Sequence, residues 1–284
     1  ITTILKILPI ILIGVVGLFY IQWENFLPFN SSGTSTITAI TATTTLTFFA
    51  FLGIECATIP SGSVANSAAT VAKATTLGTL IATVVYILST VSIMGMIPAA
   101  QLKNSVTPFA DAAVLIWGHG AEYWVSAGVA IAAFGALNGY ILIQGQLPFA
   151  IAKDKLFPAI FMKLNAKGVP VLGVVISSVF ISILMSMNYT KALVEQFKFL
   201  MLMTTSTILI PYIFCTASYL IMRFKLPFKS SKNLSMAILL ATLTFIFCLW
   251  LIIGLGQETV FWGFFLTMSS VPIYVFAVWK RDKV

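Results

Sequence analysis

Charged residues are scarce in this 284-residue chain. Lys and Arg number 16, Asp and Glu number 8, and together they make up 8% of the sequence, against roughly 25% in soluble domains. These charges are too few to cover the surface of a soluble fold of this size, and 59% of the residues are hydrophobic. The scarcity excludes a soluble catalytic domain and a disordered chain, and it predicts a surface that faces lipid.

Histidine and cysteine are also nearly absent. The single histidine, His119, removes most hydrolase and metal-dependent mechanisms, and the sequence has no Gly-rich phosphate loop. The three cysteines, Cys56, Cys215 and Cys248, all lie in apolar runs with no second Cys or His nearby. We therefore predict that they are small core residues and not disulfides or metal ligands.

The sequence contains many long apolar runs. A transmembrane helix needs about 20 predominantly apolar residues. Eight segments reach that length approximately: 2–22, 37–59, 74–98, 123–147, 170–189, 199–222, 234–256 and 259–279. Because the runs do not alternate between apolar and polar residues, they exclude a closed barrel. We therefore predict an all-α, polytopic membrane protein with about eight transmembrane helices.

The basic residues predict the orientation of these helices. If the N-terminus is cytoplasmic and each segment crosses once, thirteen of the 16 basic residues face the cytoplasm. They are Lys6, Lys73, Lys153, Lys155, Lys163, Lys167, Arg223, Lys225, Lys229, Lys232, Lys280, Arg281 and Lys283. The positive-inside rule then makes both termini of this chain cytoplasmic. The net charge of +8 does not indicate nucleic-acid binding, because these residues lie in short loops and form no stripe.

One of these loops, residues 148–169, mixes Lys with Phe, Leu and Met. This composition predicts a short amphipathic helix on the cytoplasmic interface of the membrane.

One acidic residue, Glu55, lies well inside an apolar run, where a charge costs several kcal/mol and therefore marks a functional candidate. Gly53 precedes it, Pro60–Gly62 follow, and eight of the fourteen residues from Thr34 to Thr47 are threonine. This combination predicts a discontinuous helix that exposes backbone groups near the membrane midplane. The alternative is an ordinary helix with a tolerated glycine and a paired acid. Because no Lys or Arg of this chain lies at membrane depth, Glu55 must be protonated, paired with a group outside this chain, or visited by a cation. The third option gives the hypothesis that Glu55 attracts a cationic substrate or its coupling proton.

A second segment of interest is Ala133 to Gln146, AFGALNGYILIQGQ. Its three glycines allow another backbone to approach closely, which favours a helix-packing face. Tyr140 can stack on a cation while its hydroxyl reaches a polar partner. Asn138 is a further polar side chain at membrane depth.

The motif FFAFLGIEC (Phe48 to Cys56) resembles the broken sixth helix of the amino acid–polyamine–organocation transporters. Further motifs follow in the order of that family: YILSTVSIMGMIPAAQL (Tyr86 to Leu102), SVTPFADAA (Ser105 to Ala113), FGALNGYILIQGQ (Phe134 to Gln146) and AKDKLFPAIFMKLNAKGVPVLG (Ala152 to Gly173). Together they are similar to the basic amino acid/polyamine antiporter branch, which contains putrescine–ornithine, lysine–cadaverine and arginine–agmatine exchangers.

The resemblance implies a LeuT-like fold of twelve helices, in which two five-helix repeats are inverted relative to each other and two helices follow. Residues 1–22 resemble helix five, 37–222 resemble the second repeat with helices six to ten, and 234–279 resemble helices eleven and twelve. Residues 1–284 are then a single transmembrane transporter domain, and we expect helices one to four to precede it.

The resemblance also implies which residues bind the substrate. The backbone carbonyls of Leu52, Gly53 and Ile54 correspond to the break that holds the substrate's amino group. The side chains implied by the family are Phe49 as the aromatic gate, Ala50 as pocket lining, Glu55 as the acid for proton or substrate handling, Tyr140 as the ring that stacks on the cation, and Thr204 as a hydroxyl in the pocket.

The function that follows from the resemblance is an inner-membrane antiporter and not an enzyme. It would exchange ornithine, lysine or arginine for an amine such as putrescine or cadaverine by alternating access, without a cofactor. The expected partners are the cationic substrate and the lipid bilayer. The resemblance leaves two oligomeric states open, a homodimer and a monomer. The alternative is a non-transporting remnant, or one half of a split transporter whose partner supplies helices one to four. A membrane-embedded enzyme would need a catalytic dyad, which the sequence does not offer.

Overall fold

The computed structural model describes residues 2–56, 58, 66–187, 193–225 and 231–281. Within these ranges the regular elements are helices, in agreement with the predicted all-α class. In chain order the α-helices are α1 Thr2–Gly17, α2 Thr36–Phe48, α3 Ser67–Met96, α4 Ala99–Leu102, α5 Pro108–Trp117, α6 Ala121–Lys153, α7 Val171–Met187, α8 Leu193–Lys225, α9 Ser231–Gly254, α10 Gln257–Met268 and α11 Ser270–Arg281. Short 3₁₀ helices cover Leu18–Tyr20, Trp23–Phe26, Phe49–Phe51 and Ala159–Met162.

Each of the eight predicted segments falls largely on helix in its described part, and the segment 37–59 is interrupted at Leu52 and Gly53. Six helical stretches are long and apolar enough to cross a membrane: Thr36–Cys56, Ala69–Met96, Ala121–Lys153, Val194–Lys225, Leu234–Gly254 and Gln257–Trp279. The other two predicted spans fall on the shorter apolar helices Ile7–Tyr20 and Val171–Ser186. The chain is therefore a polytopic membrane protein, and the first and fifth predicted spans are the short ones.

The predicted amphipathic helix over residues 148–169 is wrong. Helix α6 continues through Pro148 to Lys153, and beyond it only one 3₁₀ turn forms, at Ala159–Met162. Asn165 organises the rest of this segment, because its side-chain oxygen accepts the N–H groups of Lys167 and Val169, each at 2.9 Å. Such an Asx turn competes with helix formation.

The described residues form two compact units. Unit 1 comprises Ile1–Gly33, Gly53–Asp154 and Ala159–Ile181, and unit 2 comprises Thr34–Leu52, Lys155–Pro158 and Ser182–Val284. In unit 1 helix α1 packs against α3 through small residues. A Cβ atom on Gly17 would lie 2.9 Å from the Cβ of Ser92, and the Ser92 hydroxyl donates a hydrogen bond to the carbonyl of Gly14. Close backbone approach of this kind is typical of helix packing in membranes.

In unit 2, threonine side chains connect closely packed helices. The hydroxyl of Thr45, a fully buried residue, donates to the carbonyl of Leu251 on α9 at 3.1 Å. The indole N–H of Trp250 donates to the hydroxyl of Thr41 at 2.9 Å. Gly254 allows this close approach, because a Cβ there would collide with the Thr45 hydroxyl and lie 2.9 Å from the backbone carbonyl oxygen of Thr41. These two threonines of the Thr-rich segment therefore join α2 to α9.

The three cysteines differ in exposure, and Cys56 is half-buried, not fully in the core as predicted. Cys248 is buried beside Leu209 and Leu251 in unit 2, as predicted. Cys215 is exposed, so its predicted core position is wrong. The error has a physical cause: the outer face of a transmembrane helix is as apolar as its inner face, and an apolar neighbourhood in sequence does not identify burial there.

Candidate functional site

The helix break predicted around Gly53 is present. Helix α2 ends at Phe48, one 3₁₀ turn follows, and Leu52 is extended with φ −72° and ψ 147°. Gly53 then has φ +96°, in the left-handed region that side-chain-bearing residues avoid. The prediction of a discontinuous helix is confirmed over Thr36–Cys56, whereas Pro60–Gly62 lie outside the described residues.

The carboxylate of Glu55 lies at this break. Its Oε2 accepts a hydrogen bond from the backbone N–H of Gly53 at 2.9 Å. The backbone continues as a tight turn, in which the N–H of Cys56 donates to the carbonyl of Gly53 at 3.1 Å. The hydroxyl of Thr58 donates to the carbonyl of Glu55 at 2.7 Å. This hydrogen bond to the backbone holds the carboxyl group beside the unwound residues, where Glu55 is half-buried.

Tyr140 faces the same glycine from helix α6. Its hydroxyl oxygen lies 2.9 Å from the position that a Cβ atom on Gly53 would occupy. Cys56, Glu55 and Tyr86 are neighbours of the Tyr140 side chain, and 51% of its surface stays exposed. The structure therefore brings together three of the predicted residues, Gly53, Glu55 and Tyr140, within unit 1.

Tyr86 on α3 is a member of this cluster that the sequence did not identify. Its signal was a phenol in an otherwise apolar run, the same signal that drew attention to Tyr140. This signal does not distinguish Tyr86 and Tyr140 from the other tyrosines in the spans. Which tyrosines approach the helix break depends on the tertiary fold.

The remaining predicted residues have separate surroundings. The ring of Phe49 packs edge-on against Phe197, with 6.3 Å between centroids and 84° between ring planes. Ala50 is exposed and Leu52 is half-buried. Thr204 is exposed and its hydroxyl donates to the carbonyl of Leu200 on its own helix at 2.8 Å. Ile54 lies between Gly53 and Glu55 in the tight turn of unit 1, and its role in substrate binding stays a prediction, as do those of the residues above.

The chemistry of the cluster suits an organic cation. A carboxylate attracts a positive charge, and a tyrosine ring binds an ammonium group through its electron-rich face. In the part of the chain that the structure describes, no group of three or more His, Cys, Asp or Glu side chains could hold a metal ion.

The chain is similar in sequence to one family model and to several known proteins. Residues 1–279 match the family model described as amino acid permease. A Bacillus subtilis protein named for arginine/ornithine antiport is 34% identical over 220 residues, which cover 75% of this chain and 47% of that protein. The putrescine transporter PotE of Haemophilus influenzae is 26% identical over 278 residues, covering 96% of this chain and 64% of that protein. The cadaverine/lysine antiporter of Escherichia coli K12 is 30% identical over 183 residues, covering 64% of this chain and 41% of that protein.

The alignments cover different shares of this chain and of its relatives. The chain spans about half the length of the curated relatives it matches, from 41% to 64% in these three cases. The similarity is therefore to part of each relative.

Proposed function

We propose a function from one premise: this chain belongs to the amino acid permease family, whose model matches residues 1–279. The natural protein that contains these residues is a secondary transporter. It exchanges a cationic amino acid such as ornithine, lysine or arginine for a diamine or polyamine such as putrescine, by alternating access. The solutes named for the relatives, which are arginine, ornithine, putrescine, cadaverine and lysine, support this substrate class.

The observation that carries the proposal is the cluster at the break of α2. The helix is unwound at Gly53, which has positive φ. The Glu55 carboxylate accepts a hydrogen bond from the Gly53 N–H, and the Tyr140 hydroxyl lies close to Gly53. A cationic head group that enters here meets a negative charge, an aromatic face and unwound backbone together. Discontinuous helices in transporters present such backbone groups to substrates near the midplane.

The roles of individual residues follow from this chemistry. Glu55 neutralises the ammonium group or hands over a proton, Tyr140 stacks on the cation, and the carbonyls of Leu52, Gly53 and Ile54 accept its N–H donors. We assign Phe49 to gating, Ala50 to pocket lining and Thr204 to a hydroxyl contact by the family resemblance. No bond of the substrate is made or broken, so the exchange needs no cofactor.

The proposed location is a bacterial inner membrane with both termini of this chain in the cytoplasm. The distribution of Lys and Arg supports this orientation. Labelling of single cysteines introduced at Asn104 and Lys163, with a reagent that does not cross the membrane, tests it. We expect intact cells to label position 104 and not position 163. A homodimer is a further prediction, which the mass of the protein in nanodiscs tests.

Exchange in proteoliposomes tests the function. Vesicles that contain the purified natural protein are loaded with unlabelled ornithine, and uptake of labelled putrescine is followed. We expect uptake to be at least tenfold faster than in vesicles loaded with a neutral amino acid of similar size. The pairs lysine–cadaverine and arginine–agmatine are measured in the same way, and the fastest pair identifies the substrates.

Two results would contradict the proposal. Uptake that is independent of the internal solute would exclude antiport. Exchange of neutral amino acids at the same rate as cationic ones would exclude the proposed substrate class, and Glu55 would then have no charge to neutralise.

A further inference from the structure

A groove lies between helices α8 and α9 of unit 2, away from the break of α2 along the chain. Its volume is about 290 Å³, and Tyr212, Thr216 and Tyr219 line it from α8 while Leu240 and Thr244 line it from α9. Both helices are long and apolar enough to span a membrane. The proposed exchange makes no use of this groove.

The wall of the groove is hydrocarbon in character despite its hydroxyl-bearing residues. The hydroxyl of Thr216 donates to the carbonyl of Ile213 at 2.7 Å, and that of Thr244 donates to the carbonyl of Leu240 at 2.8 Å. Both hydroxyls therefore already donate within their own helix, and an apolar chain in the groove leaves neither donor without an acceptor.

A positive charge lies at one end of the groove. The Nε of Arg223 donates to the hydroxyl of Tyr219 at 3.1 Å, and the guanidinium carbon lies 5.2 Å from the centroid of the Tyr219 ring. Tyr219 itself lines the groove, so these contacts hold the Arg223 guanidinium at the Tyr219 end of the groove. Lys225, which is exposed, follows two residues later. In sequence, residues 223–232 carry four basic side chains and no acidic one.

The spacing matches one leaflet of a membrane. From Tyr212 to Arg223 the helix rises by about 16 Å at 1.5 Å per residue, and half of the hydrocarbon core measures about 15 Å. A lipid whose phosphate lies at Arg223 can therefore extend one acyl chain along the whole groove. A guanidinium group matches the geometry of a phosphate better than an ammonium group does.

We infer that the groove between α8 and α9 binds one anionic phospholipid of the leaflet on the Arg223 side. Arg223 and Lys225 bind its phosphate, and one acyl chain lies along Tyr212, Thr216 and Leu240. Clusters of basic residues at the end of a transmembrane helix attract acidic lipids in general. The inference depends on the membrane location of the chain and not on which solute is transported, so the failure of one leaves the other standing.

Photo-crosslinking tests the inference. The natural protein is placed in nanodiscs that contain a trace of phosphatidylglycerol or phosphatidylcholine with a diazirine on the acyl chain, and labelled peptides are identified by mass spectrometry. We expect phosphatidylglycerol to label the α8 and α9 residues of the groove at least fivefold more than phosphatidylcholine, since each basic residue near the surface strengthens acidic-lipid binding by about fivefold. Equal labelling by the two lipids would overturn the inference.

Matched variants separate the head-group contacts from general charge. The double variant Arg223→Gln, Lys225→Gln is expected to lower groove labelling by phosphatidylglycerol at least fivefold. The control Lys163→Gln, Lys167→Gln removes the same charge from exposed positions in unit 1 and should leave the labelling unchanged. If both double variants lower the labelling equally, the lipid senses only the net charge and the assigned site is wrong.

A second pair of variants tests the acyl-chain path without changing charge. Thr244→Trp fills the groove, whereas Leu243→Trp adds the same bulk at an exposed position that does not line it. We expect only Thr244→Trp to abolish labelling of α8 residues, while the melting temperature of both variants stays alike. Persistent labelling of α8 in Thr244→Trp would show that the acyl chain lies elsewhere.

Discussion

Two segments of unit 1 share one local structure and differ in everything around it. In Gly53–Ile54–Glu55 and in Gly120–Ala121–Glu122, a glutamate Oε2 accepts the N–H of the glycine two residues earlier, at 2.9 and 2.7 Å. Both glycines have positive φ, +96° at Gly53 and +103° at Gly120. The Gly-x-Glu turn is therefore a local device that this sequence builds twice.

The surroundings separate the two turns. Gly120 is the N-cap of α6, and Glu122 lies in the first helical turn, where a carboxylate stabilises the positive end of the helix dipole. A Cβ on Gly120 would meet nothing within 4 Å, whereas one on Gly53 would lie 2.9 Å from the Tyr140 hydroxyl. The same hydrogen bond therefore occurs in two different settings, and the nearby Tyr140 and the apolar run around Glu55 distinguish the Gly53 turn from the Gly120 turn.

The largest effect is expected from alanine at the two glycines. Gly53→Ala and Gly120→Ala both place a Cβ at positive φ, which costs about 1–2 kcal/mol. Only Gly53→Ala also displaces the Tyr140 hydroxyl. We expect Gly53→Ala to lower exchange in proteoliposomes at least tenfold and Gly120→Ala to leave it within about twofold of the unchanged protein, since a 1.4 kcal/mol difference corresponds to about tenfold.

A double variant sharpens this result. Tyr140→Phe removes the atom that the new Cβ meets, so Gly53→Ala, Tyr140→Phe should unfold at a higher temperature than Gly53→Ala alone. Equal melting temperatures would mean that backbone strain, and not the Tyr140 contact, explains the loss.

The next largest effect is expected from neutralising the two carboxylates. Glu55→Gln keeps an oxygen that can accept the Gly53 N–H but removes the charge proposed to attract the substrate. We expect exchange to fall about tenfold or more while abundance in the membrane stays normal. Glu122→Gln is the matched control, with the same chemical change at the other turn, and should exchange at the normal rate. Normal exchange by Glu55→Gln at normal abundance would remove Glu55 from the proposed site.

A smaller effect is expected from Tyr140→Phe alone. The ring that can stack on a cation remains, and only the hydroxyl against Gly53 is lost. We expect the KM for the amine to rise by about two- to fivefold with little change in maximal rate. The reason is that one hydrogen bond contributes roughly 0.5–1.5 kcal/mol to the free energy of binding. Tyr123→Phe, at an exposed position on the same helix, is the control. A similar rise in KM for both variants would argue against a specific role for Tyr140.

The smallest effect concerns the stability of the protein after a change at the Gly120–Glu122 turn. Glu122→Gln removes a negative charge from the first turn of α6, so the free energy of unfolding should fall by about 0.3–1 kcal/mol. Thermal unfolding in detergent at low and high salt measures the change. The loss should shrink at high salt, because salt screens a charge near the helix end; a loss that is independent of salt would contradict a dipole effect.

Much of the break was predictable because its causes are local. A glycine, an acid at membrane depth and nearby threonines predicted that α2 is discontinuous, and the helix does end before Gly53. The threonines themselves were interpreted less well, since Thr45 bonds to the carbonyl of Leu251, 206 positions away in sequence. Phe197 was missed for the same reason: its packing on Phe49 is a contact between distant parts of the chain.

Composition is enough to predict that this protein is helical and lies in a membrane, because helices satisfy the backbone of long apolar runs in lipid and 8% charged residues cannot cover a surface in water. Which residues are buried depends on contacts between helices that composition does not specify. Thr205 is fully buried and its neighbour Thr204 is exposed; Cys248 is buried and Cys215 is not. Lipid is the physical reason. Since the solvent of a transmembrane helix is as apolar as its core, composition and periodicity carry little information about which face packs, and the contacts themselves must supply it.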